Sequence, residues 1–186
     1  MTSPIATGGA GTHFESRVAA YYLAAALVQT GVRGLAEGLA HRVRLQRAFE
    51  GQPLDDVIVD AQAPTGVATL SLQVKRSIAF GDNALFHKVI AECWETLQTP
   101  SFREGTDRFG IALGITSAAI EEAAQNVLNW ARQSADAADF FLRLRKPNFS
   151  SEDMRRFEVA VRMALEQASA GRVGDDVLWK FLKHFV

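Results

Sequence analysis

The chain has 186 residues, of which 48% are hydrophobic and 22% charged, and its formal net charge is −1. This length and composition fit one soluble globular domain with a sizeable core, and they exclude a disordered or fibrous protein. A net charge near zero excludes a globally basic or acidic protein, but it is compatible with a local basic patch. The single cysteine, Cys93, excludes an internal disulfide and fits a reducing cytosol.

No segment predicts a signal peptide or a transmembrane helix. The N-terminus lacks a basic stretch followed by an apolar one. The longest apolar run, "VAAYYLAAALV", is shorter than the roughly 20 residues that span a bilayer. The sequence therefore predicts a cytoplasmic protein with no membrane contact, and residues 1–10 are expected to form a flexible N-terminus.

The first predicted helix begins at Thr12. The stretch "THFE" fits a capping box, with Thr12 as N-cap and Glu15 at the third helical position. Apolar residues then recur at helical spacing, among them Val18 and Tyr22. Gly31 offers a C-cap, so the helix is predicted to end near "QTGVRG".

Three strands are predicted next. In "HRVRLQRAFE", Val43 and Leu45 face one way while Arg42 and Arg44 face the other, which is the period of a strand. The second and third strands are "LDDVIVDA" and "VATLSLQVKRS", joined by the turn sequence "QAPTG". Links this short exclude parallel crossovers, so the three strands are predicted to form an antiparallel meander.

The second half of the chain predicts a helix, a strand and further helices. The helix is "GDNALFHKVIAECWETLQ", the buried strand is "DRFGIALGIT", and Thr116 or Ser117 caps the next helix. A second capping signature, Ser150 with Asp153, begins a helix in the tail. The order predicts the α/β class with a mixed sheet. The apolar end "VLWKFLKHFV" predicts that the natural chain continues.

Polar side chains on the second and third strands are the candidates for chemistry. Gln73 and Lys75 share one face of the third strand, because residues two apart in a strand point the same way, and Leu72 and Val74 then face the core. Adjacent strands lie about 4.8 Å apart, so the acidic start of the second strand can reach this pair. Glu15 lies on the preceding helix, which must pack on the sheet.

Carboxylate and amide oxygens beside a lysine are the groups that metal-assisted phosphodiester hydrolysis needs. A hard cation bound by oxygens polarises the phosphate and lowers the pKa of a bound water, and a lysine stabilises the developing charge. We assign Asp56, Gln73, the backbone carbonyl of Val74 and, through water, Glu15 as ligands, with Lys75 as the catalytic cation. No His/Cys cluster is spaced for zinc, so Mg²⁺ is predicted, with Mn²⁺ as a substitute.

These motifs resemble those of a known nuclease superfamily. "LDDVIV" followed by "LQVK" resembles the PD-(D/E)XK signature, and "QVK" is similar to the Mrr-like branch. The stretch "GTHFESRVAAYYLAAAL" is similar to N-terminal nuclease domains of bacterial antiphage effectors, either activated by cyclic oligonucleotides or fused to STAND-type NTPases. The resemblance covers residues 11–135 and implies a restriction-endonuclease-like αβββαβ core, with a mixed sheet flanked by helices. A helical extension at 136–186 would lead into a missing C-terminal regulatory region.

The resemblance also implies the roles of individual residues. The metal-binding acid transfers to Asp56, the amide and lysine to Gln73 and Lys75, and the helix glutamate to Glu15, while Asp55 points elsewhere in a strand. The implied activity is Mg²⁺-dependent cleavage of double-stranded DNA with low sequence specificity, in antiphage defence. A neutral glutamine leaves the site one negative charge poorer than the family's usual acid, so weaker metal affinity is expected.

The basic residues Arg42, Arg44, Arg47 and Arg76 are candidates for phosphate contacts, although a solvated strand face would carry the same residues. The capping box alone would also explain Glu15, and the two roles can coexist. Two other functions stay open: a nucleic-acid-binding module with a degenerate site, and an oligomerisation domain. Self-association or contact with a C-terminal sensor or NTPase region is also expected.

Overall fold

The computed structural model describes residues 5–46 and 51–186, and of residues 5–10 and Thr12 it describes the backbone alone. The elements in chain order are helix α1 (Ile5–Leu27), strands β1 (Leu39–Leu45), β2 (Val57–Ala63) and β3 (Gly66–Ser77), helix α2 (Ala84–Gln98), strand β4 (Arg108–Ile115), and helices α3 (Ala118–Gln133), α4 (Ala137–Arg145), α5 (Glu152–Ser169) and α6 (Asp175–His184). This order confirms the predicted α/β class and the predicted succession of helices and strands.

The four strands form one open mixed sheet in the order β1-β2-β3-β4. Strands β1, β2 and β3 are antiparallel neighbours, and β4 pairs with β3 in parallel. Ala63 pairs with Gly66, so the β2–β3 turn consists of the two residues between them. The predicted antiparallel meander is thereby confirmed, because so short a link leaves no other pairing.

Helix α1 begins earlier than the sequence predicts. It starts at Ile5, so Thr12 lies inside the helix and the capping-box interpretation is wrong. A side-chain cap stabilises a helix start by only about 1 kcal/mol, and continued backbone hydrogen bonding outweighs such a local preference. The predicted end near "QTGVRG" is confirmed, but Gly31 is not the C-cap. The helix stops at Leu27, and Gln29 takes the left-handed conformation with φ 50°.

The chain forms two compact units. The first comprises residues 1–77 and 98–115 and contains α1 and the sheet, with α1 packed against β1, β2 and β3. Leu72 and Val74 of β3 are buried as predicted. The buried residues of α1, Ala19, Tyr22 and Ala25, recur every three positions, which places them on the same face of the helix.

The second unit comprises residues 78–97 and 116–186, so α2 and α3 belong to it together with the helices of the extension. Ser117 caps α3 as predicted, its side chain accepting a hydrogen bond from the amide of Ile120. The predicted cap at Ser150 is wrong. Ser151 caps α5, because the Ser150 hydroxyl already donates a 2.5 Å hydrogen bond to the Leu144 carbonyl.

Two further features follow from this packing. Cys93 is free and fully buried, and burial raises the pKa of its thiol well above the usual value. The predicted burial of β4 holds for Phe109, whereas Ile115 at the other end of the strand is exposed.

None of the helices in residues 5–46 and 51–186 is long and apolar enough to span a membrane.

Candidate metal and phosphate site

The candidate site lies where β2 begins beside β3. Asp56 directly precedes β2, and the pairing of Val57 with Leu72 brings Asp56 level with the next residues of β3. Oδ2 of Asp56 accepts a 2.7 Å hydrogen bond from the backbone amide of Val74 and lies 3.4 Å from Nζ of Lys75. The structure therefore brings together the acid and the lysine that the sequence singled out.

These contacts orient the Asp56 carboxylate. Both recorded contacts go to Oδ2, and Oδ1 makes no hydrogen bond or ion pair within residues 5–46 and 51–186. The Asp56 and Lys75 side chains are mostly buried, which reduces solvent screening of their attraction. The amide and the ammonium thus fix one oxygen, and the other stays available to a ligand.

Gln73 contributes a polar atom whose burial is costly. Gln73 is only 7% exposed, and its Oε1 atom is buried with no hydrogen-bond partner among the described residues. A buried acceptor left unpaired costs about 1–3 kcal/mol, so such groups are rare in native structures and often have a functional reason. By strand alternation Gln73 lies on the same face of β3 as Lys75.

Glu15, which lies on α1, interacts electrostatically with the same group of residues. Burial raises the pKa of its carboxyl above the usual value, Asp56 and Asp55 raise it further, and Lys75 opposes them. The charges that act on Glu15 are thus those of β3 and of the start of β2, two strands against which α1 packs. Because α1 begins at Ile5, Glu15 is not a capping-box residue, and that alternative explanation for it no longer holds.

Val74 is predicted to bind the metal through its backbone carbonyl. Its recorded hydrogen bond is made by the backbone N–H, which donates to Asp56. The carbonyl as a metal ligand stays a prediction. The side chain of Val74 is buried on the opposite face of β3 from Gln73, as alternation requires.

Arg42 and Arg44 converge on an acid that the sequence analysis missed. Arg42 Nε and an Arg44 guanidinium nitrogen each donate a 2.9 Å hydrogen bond to the buried carboxylate of Asp60, and Thr69 Oγ1 donates another of 3.1 Å. Burial raises the pKa of Asp60, but the hydrogen bonds from Arg44, Arg42 and Thr69 outweigh it and hold the pKa below the usual value. A lone aspartate inside the apolar run "VIVDA" was the available signal.

The predicted phosphate-binding arginines that the structure describes differ in their exposure and in the face of the sheet on which they lie. The Arg42 side chain is 63% exposed despite its ion pair, while that of Arg44 is 19% exposed. Arg76 is exposed, but alternation puts it on the opposite face of β3 from Lys75. Arg47 lies outside the described residues. Their contacts with phosphate stay predictions, and Arg44 has the strongest structural role among those described.

A second buried acid, Asp107, was also missed. Its carboxylate accepts hydrogen bonds from the backbone amides of Thr69 and Arg103 and from the Arg103 guanidinium, at 2.9–3.1 Å. These bonds join the start of β4 to β3. The signal in the sequence was an acid next to a strand start, which is too common to single out.

The donor set near Asp56 fits a hard divalent cation. The candidate oxygens are Oδ1 of Asp56, the unpaired Oε1 of Gln73 and the carboxylate of Glu15, whose raised pKa reflects burial and the negative charges around it. Oxygen ligands of this kind suit Mg²⁺ and Mn²⁺. Residues 5–46 and 51–186 contain no group of three His, Cys, Asp or Glu arranged for a metal, so an amide would have to take the place of one acid.

Comparison with protein-family models, with curated proteins and with solved structures found no match for this chain.

Proposed function

We propose that this chain is a metal-dependent endonuclease domain that hydrolyses phosphodiester bonds of double-stranded DNA with low sequence specificity. The observation that carries the proposal is the contact of Asp56 with Lys75 beside the buried, unpaired Oε1 of Gln73. A helix, three strands, a helix and a strand precede the remaining helices, which is the order of a restriction-endonuclease-like core. The proposed setting is a cytoplasmic antiphage effector.

The residues divide the chemical work. Oδ1 of Asp56, Oε1 of Gln73 and the Glu15 carboxylate would hold Mg²⁺, or Mn²⁺ in its place. When bound, the ion polarises the phosphate and lowers the pKa of a coordinated water. Lys75, held by Asp56 at 3.4 Å, presents its ammonium to the phosphate oxygens on which negative charge grows during hydrolysis.

The charge balance of the site predicts weak metal binding in the absence of DNA. Asp56 is paired with Lys75, and Gln73 is neutral, so Glu15 carries the remaining negative charge of these four residues. A DNA phosphate brings a further negative charge and oxygen ligands. Metal and DNA should therefore bind cooperatively, each raising the affinity for the other.

Plasmid cleavage tests the proposal. The wild-type chain is incubated at high concentration with supercoiled DNA and Mg²⁺, Mn²⁺ or EDTA, beside Lys75→Ala. Lys88→Ala is the matched control, because the Lys88 side chain is 74% exposed on α2. Nicking or linearisation that requires metal, disappears in Lys75→Ala and persists in Lys88→Ala supports the nuclease. Equal cleavage by Lys75→Ala contradicts it.

A second candidate function is DNA binding without cleavage. The observation that favours it is the neutral Gln73, which leaves the described residues without a three-acid metal cluster. DNA binding that is unchanged by EDTA, with no cleavage by the wild-type chain in Mg²⁺ or Mn²⁺, would favour this candidate.

A further inference from the structure

Gly114 of β4 lies in close contact with both α1 and β3. A Cβ atom built on Gly114 would lie 3.0 Å from the Arg76 carbonyl oxygen and 3.2 Å from two ring carbons of Phe14, Cε2 and Cζ. Ordinary contacts between nonbonded carbons are about 3.5–4.0 Å, so a methyl group here would require its neighbours to shift by a few tenths of an ångström. The φ angle of Gly114 is not positive, so space and not backbone conformation is what requires a glycine.

Both neighbours of this glycine are adjacent in sequence to residues of the candidate site. Phe14 precedes Glu15 on α1, and Arg76 follows Lys75 on β3. The carbonyl of Arg76 belongs to the strand itself, so it cannot swing aside as the end of a flexible side chain could. Relief of a clash at position 114 would therefore displace α1 through Phe14, β3 through Arg76, or both.

We propose that Gly114 is a positioning residue: its missing side chain lets α1 approach β3 and β4 closely enough for Glu15 to reach Asp56 and Lys75. This inference rests on the proposed metal-dependent nuclease function. Gly114 itself touches neither substrate nor metal in this scheme. It acts by setting the depth at which Phe14 packs, and thereby the distance from Glu15 to the start of β2.

Gly114→Ala tests this role with two companions. Gly105→Ala is the matched control, because a Cβ on Gly105 meets nothing within 4 Å and its φ is not positive. Phe14→Leu combined with Gly114→Ala is the rescue, because leucine lacks the ring carbons that the new methyl group would meet. Circular dichroism and urea unfolding report whether each variant is folded.

The decisive readouts are Mn²⁺ affinity by calorimetry without DNA, at metal concentrations high enough to measure the weak binding expected there, and the Mg²⁺ concentration that gives half-maximal plasmid cleavage. A purely structural glycine would change stability but neither of these quantities in the folded protein. We expect Gly114→Ala to weaken Mn²⁺ binding and to reduce cleavage by about tenfold, since displacements approaching 1 Å can cost up to about 100-fold. Phe14→Leu should restore the part of the loss that arises at the Phe14 ring, because the contact with the Arg76 carbonyl remains, and Gly105→Ala should match wild type.

The outcomes separate this inference from the proposed function. A wild-type chain that binds Mn²⁺ and cleaves DNA, with a folded Gly114→Ala variant that does both equally well, overturns the positioning role alone. A wild-type chain that neither binds Mn²⁺ nor cleaves overturns both. If Gly114→Ala does not fold, Phe14→Trp enlarges the same contact from α1. Weakened Mn²⁺ binding in that variant supports the role, and unchanged binding overturns it.

Discussion

The Asp56 carboxylate accepts a 2.7 Å hydrogen bond from the backbone amide of Val74. A side chain just before β2 thus accepts a hydrogen bond from β3 that a backbone carbonyl would normally accept. Asp56→Ala leaves this amide without its partner and should destabilise the fold by about 1–2 kcal/mol. Asp56→Asn keeps an oxygen acceptor and should cost less. Urea unfolding measures the difference.

The same pair of variants separates stability from activity. Both should lose metal-dependent cleavage by at least about 100-fold, since the loss of one well-placed charged group has this order of effect. Asp82→Asn, in which an exposed aspartate of the second unit is changed, is the control and should cleave normally. Wild-type cleavage by a folded Asp56→Asn variant would contradict the assignment of Asp56 as a ligand.

Gln73 allows a test in which stability and activity should move in opposite directions. Gln73→Met replaces a buried, unpaired acceptor by an apolar side chain of similar length. The unfolding free energy should stay the same or rise by up to about 1 kcal/mol, because no hydrogen bond to Oε1 is lost, while cleavage should disappear. Urea unfolding in EDTA and plasmid cleavage measure the two effects. Lower stability in Gln73→Met would show that Oε1 has a stabilising partner.

The sheet and the pairing of Asp56 with Lys75 could be predicted because they depend on local pattern. Strand alternation places Gln73 and Lys75 on one face, and the short turn before β3 leaves only antiparallel pairing with β2. The residues that were missed depend on tertiary contacts. The role of Asp60 depends on Arg42, which lies opposite it on another strand. The sequence alone does not show which residues of different strands will be neighbours.

The false capping box shows the complementary limit. "THFE" satisfies the local rule for a helix start, but α1 continues upstream to Ile5. Gly114 illustrates the same point from the other side. Nothing in the sequence distinguishes it from the other glycines. A glycine is required there because the Phe14 ring, 100 positions away along the chain, packs against it in the fold.

Asp60 should make the stability of the fold depend on pH at the acid end. Its folded pKa lies below the ordinary value of 3.8, so its stabilisation is fully present above that value and is lost as pH falls through the lower folded pKa. Asp60→Asn should remove this part of the acid-dependent loss. It should also destabilise the protein near neutral pH by roughly 3 kcal/mol, because Arg44 is then left mostly buried without its charged partner.

Urea unfolding from neutral pH down to about pH 2 measures both effects, with the two stability curves converging at the acid end. Asp153→Asn is the control, because this acid lies at the exposed start of α5. An acid limb of unchanged slope in Asp60→Asn would show that other carboxylates account for the acid sensitivity.

Arg42 and Arg44 should separate DNA affinity from folding although both pair with Asp60. Arg42→Ala removes a largely exposed guanidinium and should weaken binding to duplexes of different sequence equally, reducing the slope of log affinity against log salt by about 1. Arg44→Ala should mainly lower stability, because its guanidinium is mostly buried. Arg156→Ala, on the exposed face of α5, is the control and should leave the slope unchanged. Fluorescence anisotropy with two unrelated duplexes, measured between about 50 and 200 mM salt, gives the slopes. An unchanged slope in Arg42→Ala would exclude Arg42 from the phosphate contacts and leave its ion pair with Asp60 as its role.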